Sequence, residues 1–326
     1  MGNRITLIHV DVPMPEPFRI SSGEVHSKES IVVRIERDGL TAYSEASPMA
    51  GGFYSNDTPE STWDYLSKRI VPQLIHEKRF EPGFAIRGLD TATGNRFAWA
   101  GIEGALWDLH IQETDGSFPQ MLDVSLAPIP SGLAVGIYPT IADLLRACER
   151  HLEKGYKRLK IKIEPGWDIE PLRAIRERFG AIDLMVDANA AYREEHFPVF
   201  DRIDEMGLLM IEQPLSEDDL DGHARLQQRL STPICLDESI KDLESAEKAI
   251  EKSACRIVNL KIQRLGGLSP TRQVYDFCAQ QKIPTWMGTM PELGIGALHA
   301  LYFALLPNCS YPTDVESSAR WFVEDL

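Results

Sequence analysis

Between Arg158 and Gly267 the chain reads RLKIKI (158–163), IDLMVDAN (182–189), LLMIEQP (208–214), PICLDES (233–239) and RIVNLKIQRLGG (256–267). Each is a short apolar run that ends on charge. Asp187, Glu212, Asp237 and Lys261 follow one another at intervals of 25, 25 and 24 residues, and Lys160 and Lys162 precede them by one further interval. Such an interval holds one strand and one helix, the length of a βα unit. Closing successive parallel strands into a barrel gathers their C-terminal ends at one face, so three carboxylates meet there with lysines on either side.

Three clustered carboxylates repel one another unless a cation neutralises them. An all-oxygen set suits a hard divalent ion, and one that leaves room for water and substrate suits Mg²⁺, with Mn²⁺ as its substitute. The metal-ligand candidates are therefore Asp187, Glu212 and Asp237. The alternative is that each acid is a solvated strand-end residue. Lys160 and Lys162 are two apart on a strand and share one face. Repulsion and desolvation lower the pKa of at least one, which makes it usable as a general base. Lys261 arrives from across the barrel, so a base on each face of a bound carboxylate becomes possible. The lysines could equally act as phosphate or carboxylate clamps.

Working outward, the 326 residues are enough for a barrel of about 250 with a second unit attached. A 43% hydrophobic and 25% charged composition is that of a globular protein. A net charge of −15 and pI near 5.0 argue against nucleic acid or an anionic membrane as partner. A small carboxylate is the expected partner, with self-association possible. Cys148, Cys235, Cys255, Cys278 and Cys309 are odd in number and lie mostly in apolar runs, as reduced core thiols do. No signal peptide is read at the start, and the apolar helix near Ala297–Leu306 is too short to span a bilayer and reads as buried core. A cytoplasmic protein is expected, in which the Asn56 and Asn308 glycosylation patterns are chance matches.

Residues 1 to about 45 alternate as strands do, with a polar break at SSGEVHS (21–27) and a hairpin signal at Asp38-Gly39. Helical periodicity follows at 58–74 and 94–112, giving three strands and then helices. Between them SPMAGGFYSNDT (47–58) places Gly51 and Gly52 beside Phe53 and Tyr54, as in a mobile flap that closes on a ligand. An ordinary surface loop with an apolar anchor is the other reading, and SSGEVHS is a weaker second flap candidate. From Gly132 the βα rhythm runs through GLAVGI (132–137) to IPTWMG (283–288) and SYPTDV (310–315), eight strands in all, and the end at WFVEDL suggests a C-terminal segment beyond it.

The blocks Lys160-Ile161-Lys162, Val186-Asp187-Ala188-Asn189, Ile211-Glu212-Gln213-Pro214, Leu236-Asp237-Glu238-Ser239 and Asn259-Leu260-Lys261 resemble the signature of the enolase superfamily, muconate-lactonising subgroup. That superfamily uses a lysine base with Mg²⁺. The resemblance implies an α/β architecture: an N-terminal α+β capping domain (1–125), a (β/α)7β TIM-type barrel carrying the site (126–316), and the start of a segment returning to the cap (317–326). Candidate substrate contacts are Asn189, Phe53, Tyr54, Gly288, Thr289 and Met290.

Within the subgroup, KIKIEPGWD (160–168), VDANAAY (186–192) and DVESSARWF (314–322) are most similar to o-succinylbenzoate synthases, which act in menaquinone biosynthesis, and to their N-succinylamino acid racemase relatives. By that analogy Lys162 removes the α-proton, Lys261 stabilises the enediolate or returns a proton from the other face, and Lys160 holds the carboxylate and depresses Lys162. Muconate cycloisomerase is a further alternative. Dipeptide epimerases carry Asp-x-Asp on the last strand, where this chain has Asp314-Val315-Glu316. Ala297 stands where racemase relatives commonly carry a basic residue, which favours the synthase. Arg264 fits the family pattern, or is a surface or helix-cap charge. A non-catalytic metal- and carboxylate-binding barrel is the reading of a different class.

Overall fold

The computed structural model describes residues 4–52, 54–75 and 94–326. Its N-terminal part is an antiparallel sheet in the order β1 (Arg4–Ile20), β2 (Gly23–Arg37), β3 (Leu40–Ala46). Asp38 and Gly39 both take positive φ, 49° and 88°, the conformation a two-residue hairpin between right-twisted strands requires. The break expected over SSGEVHS shrinks to Ser21-Ser22, because β2 pairs with β1 from Gly23 onward and Val25 opposes Phe18. Glu24, His26 and Ser27 are therefore strand residues, and the segment is the tip of a hairpin whose turn is Ser21-Ser22. The Ser21 hydroxyl donates to the Ala188 carbonyl at 3.3 Å, which sets this turn against the barrel mouth.

Thr58 caps the helix Pro59–Tyr65 through a reciprocal bond with Ser61, and Asn95 caps the helix Arg96–Glu113. The latter buries Phe97, Ile102, Ala105, Leu106 and Leu109. It lies so close on the sheet that a Cβ on Gly101 would stand 2.7 Å from that of Ala46. Residues Ile31, Val33, Ile35 and Leu66 complete this separate core.

The second sheet is parallel, in the order β10 (Thr285–Met287), β9 (Ile257–Leu260), β8 (Ile234–Leu236), β7 (Ile211–Glu212), β6 (Asp183–Asp187), β5 (Arg158–Lys162), β4 (Leu133–Val135). The eighth strand expected at 310–315 is irregular, joined by single bridges Thr285↔Cys309 on one side and Ser131↔Thr313 on the other. Its backbone bonds reach both edges: Asp314 N donates to Met287 O and Gly132 N to Thr313 O. Pro312 removes one donor, which keeps this stretch from forming a regular ladder while it closes the ring. Outward residues such as Leu159, Ile161, Leu184 and Val186 meet the helices in the main core. The helix Gly294–Ala304 buries only one face, including His299 and Phe303, and leaves Leu298 46% exposed, so the helix read there as buried core is apolar but packed on one side only.

After the barrel, the short helix Ser318–Trp321 brings Trp321 edge-on to Phe18, ring centroids 4.8 Å apart, and Val323 N donates to Pro13 O. All five cysteines are free thiols. Among the described residues no helix is long and apolar enough to cross a membrane.

Candidate active site

Strand alternation decides which residues enter the barrel. On β5 Leu159 and Ile161 face the helices, so Arg158, Lys160 and Lys162 face inward. Register places Lys162 opposite Asp187 and Asp187 opposite Glu212. The floor beneath them is Met185, Met210, Cys235, Ile257 and Trp286. Lys160 Nζ lies 5.1 Å from the Trp286 ring centroid, and the indole N–H donates to Cys235 Sγ at 3.2 Å. The six expected charges are all buried, from 0% exposure at Glu212 and Asp237 to 6% at Lys162.

Ion pairing organises this layer. Lys160 Nζ is 2.5 Å from Asp314, 3.1 Å from Glu212 and 3.3 Å from Asp187. Lys162 Nζ donates to Asp187 Oδ2 at 2.6 Å and Asn189 Oδ1 at 2.8 Å. Lys261 Nζ donates to Asp237 Oδ2 at 2.8 Å and has the Tyr54 hydroxyl at 3.2 Å, with the tyrosine ring 5.1 Å away. Arg264, buried rather than at the surface, pairs with Asp237 Oδ1 and donates to the carbonyls of Ile240 and Asn259. Each of Asp187, Glu212 and Asp237 is thus countered by lysine or arginine, and among the described residues no three acids are grouped at metal-ligand spacing.

Burial and these pairs divide the lysines. Burial depresses Lys162 below its ordinary value, with Lys160 adding repulsion, and the attraction of Asp187 does not undo it. Burial also opposes the charge on Lys160, but Asp314, Glu212 and Asp187 outweigh it and hold the ammonium above its usual range. Lys261 is likewise held up against burial, by Tyr54 and Glu238. Asp187 stays below the ordinary carboxylate range because Lys162 and Lys160 overcome its burial, whereas burial and the neighbouring Asp187 raise Glu212. The lowered lysine expected from crowding is therefore Lys162.

The three expected ligands are all oxygen donors, the type a hard cation takes, but ion pairs and hydrogen bonds occupy both oxygens of Asp187 and of Asp237. Glu212 Oε2 has Lys160 nearby but makes no hydrogen bond, and Glu238 Oε2 and Asn259 Oδ1 are also buried without one. Carboxylate oxygens left without donors among charged neighbours are those an oxygen-seeking ion would take.

Of the other expected contacts, Asn189 bridges Lys162 and Glu238, donating to Glu238 Oε1 at 2.9 Å. Tyr54 reaches the site over Lys261, while Phe53 lies outside the described residues. Gly288 packs on Asn259, whose Oδ1 a Cβ there would approach to 2.3 Å. Thr289 is half-buried, its hydroxyl 3.5 Å from the Asp314 carbonyl, and Met290 is buried. Sequence reading gave no role to Asn259, which donates to Glu212 Oε1 at 2.5 Å, or to Gln213, which accepts from the amides of Asp237 and Ser239. Arg158 was likewise given no role, although its place two residues before Lys160 on the same face could have pointed to it; it pairs with Asp314 at 2.7 Å.

Both parts of the chain are similar to known proteins. The family model described as Enolase C-terminal domain-like matches residues 143–326, and that of the mandelate racemase / muconate lactonizing enzyme N-terminal domain matches 4–122. An o-succinylbenzoate synthase of Geobacillus stearothermophilus is 38% identical over 99% of this chain and 86% of its own. An N-succinylamino acid racemase of an Amycolatopsis species is 39% identical over 99% of this chain and 88% of its own. A crystal structure of an enolase superfamily member from Listeria innocua superposes with a TM-score of 0.92 at 33% identity, covering 99% of this chain and 87% of that one. With both halves matched in one order to the two domains of a single family, the chain belongs to the enolase superfamily, in its mandelate racemase and muconate-lactonizing branch.

Proposed function

We propose that this enzyme removes a proton from the carbon next to a carboxylate and eliminates water from the resulting enediolate, the reaction of an o-succinylbenzoate synthase. The observation that carries the reading is the placement of Lys162 and Lys261. They come from the second and sixth strands of an eight-membered ring, so their ammonium groups approach the carboxylate layer from opposite sides. In this reading Asp187, Glu212 and Asp237 hold one Mg²⁺, which when bound supplies positive charge against the substrate carboxylate. Lys162 Nζ takes the α-proton, for which its depressed basicity suits it, and then returns that proton to the departing β-hydroxyl as the C–O bond breaks. Lys261 remains an ammonium and stabilises the negative charge that develops on the other face. Tyr54 and its loop exclude water above Lys261.

N-succinylamino acid racemisation is the second reading, favoured by the equally similar racemase relative; Lys261 would then deliver the proton instead of holding charge. A dipeptide epimerase is less well supported. Asp314 is taken up by Lys160 and Arg158, and Glu316 accepts from the Ala134 amide at 2.8 Å, which leaves no carboxylate pair for a substrate ammonium.

The test is Mg²⁺-dependent turnover of a synthase substrate and of an N-succinylamino acid by the wild-type chain, beside Asp187→Asn. The variant is expected to keep its circular dichroism spectrum and to lose both metal binding by calorimetry and turnover. Full Mg²⁺-dependent activity in Asp187→Asn, or none in the wild type, would sink the proposal.

A further inference from the structure

One buried cation lies outside the carboxylate layer. Lys28, on β2 of the cap, is 6% exposed, and its ammonium donates to three backbone carbonyls: Ser47 at 3.3 Å, Pro48 at 3.1 Å and Met290 at 3.1 Å. Ser47 and Pro48 are the root of the flap that carries Tyr54, and Met290 belongs to the loop after β10 at the barrel mouth. An ammonium has three donors and no acceptor, so all three are used, each on a different carbonyl. Glu45 and Glu292, both buried, supply the opposite charge around it. Glu45 accepts from Ser30 at 2.6 Å and from the Gly296 amide at 3.2 Å, and Glu292 accepts from the Met290 amide at 3.1 Å.

The same root has a second tie. Ser47 N donates to Gln263 Oε1 at 2.9 Å, and Gln263 Nε2 donates to the Glu45 carbonyl at 2.9 Å. Gln263 is two residues beyond Lys261. The flap therefore starts from a point fixed to the turn that follows one catalytic strand and to the loop that follows the next. A lysine within a strand gains nothing in sheet stability from binding two separate loops, and its burial costs free energy that a methionine would not incur.

We propose that Lys28 is a positioning residue: it fixes the root of the 47–58 flap relative to the β10 loop and so sets Tyr54 over Lys261. This rests on the reading of the barrel mouth as the substrate site. It does not depend on which carboxylate is turned over. A graded series tests it: lysine with three donors, Lys28→Gln with two, and Lys28→Met with none, the last matched in length and polarity to the neighbouring Met14, Met49 and Met290.

The first measurement is amide hydrogen exchange followed by mass spectrometry on the full chain without substrate. Peptides spanning 44–52 and 287–293 are expected to exchange about tenfold faster in Lys28→Met and less so in Lys28→Gln, while a peptide over 183–187 keeps its rate. The second is a split of kinetic constants, KM rising about tenfold with a smaller fall in kcat. Should Lys28→Met not fold, Lys28→Gln carries both measurements. Wild-type exchange at 44–52 and 287–293 in a folded variant overturns the proposal, as does an equal rise in the 183–187 peptide, which would mark general destabilisation. A wild-type chain without turnover would instead defeat the proposed function and leave the exchange result standing.

Discussion

Replacing Lys162 or Lys261 by alanine separates the two faces of the substrate. The fold is expected to survive both changes, for a reason visible in the pairing. Without Lys162, Asp187 retains Lys160 at 3.3 Å and the Asn189 amide at 3.0 Å; without Lys261, Asp237 retains Arg264. Neither carboxylate is stranded, so the penalty of about 3–5 kcal/mol for an uncompensated buried charge does not arise. The catalytic loss is larger and specific. A positioned base contributes about 10²–10⁴ in rate, which corresponds to about 2.7–5.4 kcal/mol of barrier. Each amine reaches only the proton on its own side of a rigidly held substrate. In the racemase reading, where Lys261 also exchanges a proton, Lys162→Ala is thus expected to lose α-proton exchange with one enantiomer of an N-succinylamino acid and Lys261→Ala with the other; in either reading dehydration suffers in both variants. The assay is incubation of each pure enantiomer with Mg²⁺ in deuterated buffer, followed by proton NMR. Loss of exchange for both enantiomers in both variants would mean that the lysines work as one coupled charge unit, and the two-base assignment would be withdrawn.

Two further outcomes follow from the cap. Gly51 and Gly52 have φ of 87° and 67°, so replacing both by alanine strains the flap by about 1–2 kcal/mol per residue and should reduce turnover; wild-type kinetics would show the loop to be a passive anchor. Glu103 reaches from the cap helix to the Ser269 amide at the start of the barrel helix Leu268–Gln280, and burial holds its carboxyl up at about 7 although Ser269 donates to it. A raised carboxyl binds its proton more tightly in the folded chain, so the stability it contributes is full below the ordinary value of 4.5 and is lost as pH rises through about 7. Wild-type stability should fall by about 1–3 kcal/mol on this account between pH 5 and 8, and Glu103→Gln should flatten that part of the slope in calorimetric melts; an unchanged slope would assign the loss to other groups such as Glu45.

Much of the site was legible because a barrel turns sequence spacing into proximity. Lys160, Lys162, Asp187, Glu212, Asp237 and Lys261 end apolar strands at a near-constant interval, and parallel strands in register can only bring such ends to one rim. The hairpin at Asp38-Gly39 and the caps at Thr58 and Asn95 are local chemistry, readable from a few residues each. What the tertiary structure alone decided depends on contacts between distant segments. Arg264 is one turn beyond Lys261, and only packing buries it against Asp237 instead of leaving it in water. The closing strand is irregular because its partners lie far away in sequence on both sides, at Ser131 and Thr285. The division of lysines into one depressed and two elevated follows from which carboxylates each meets, above all Asp314 beside Lys160 from the far end of the chain. Lys28 looks like an ordinary polar residue of an alternating strand, because the three carbonyls that explain it are brought to it only when the cap folds onto the barrel.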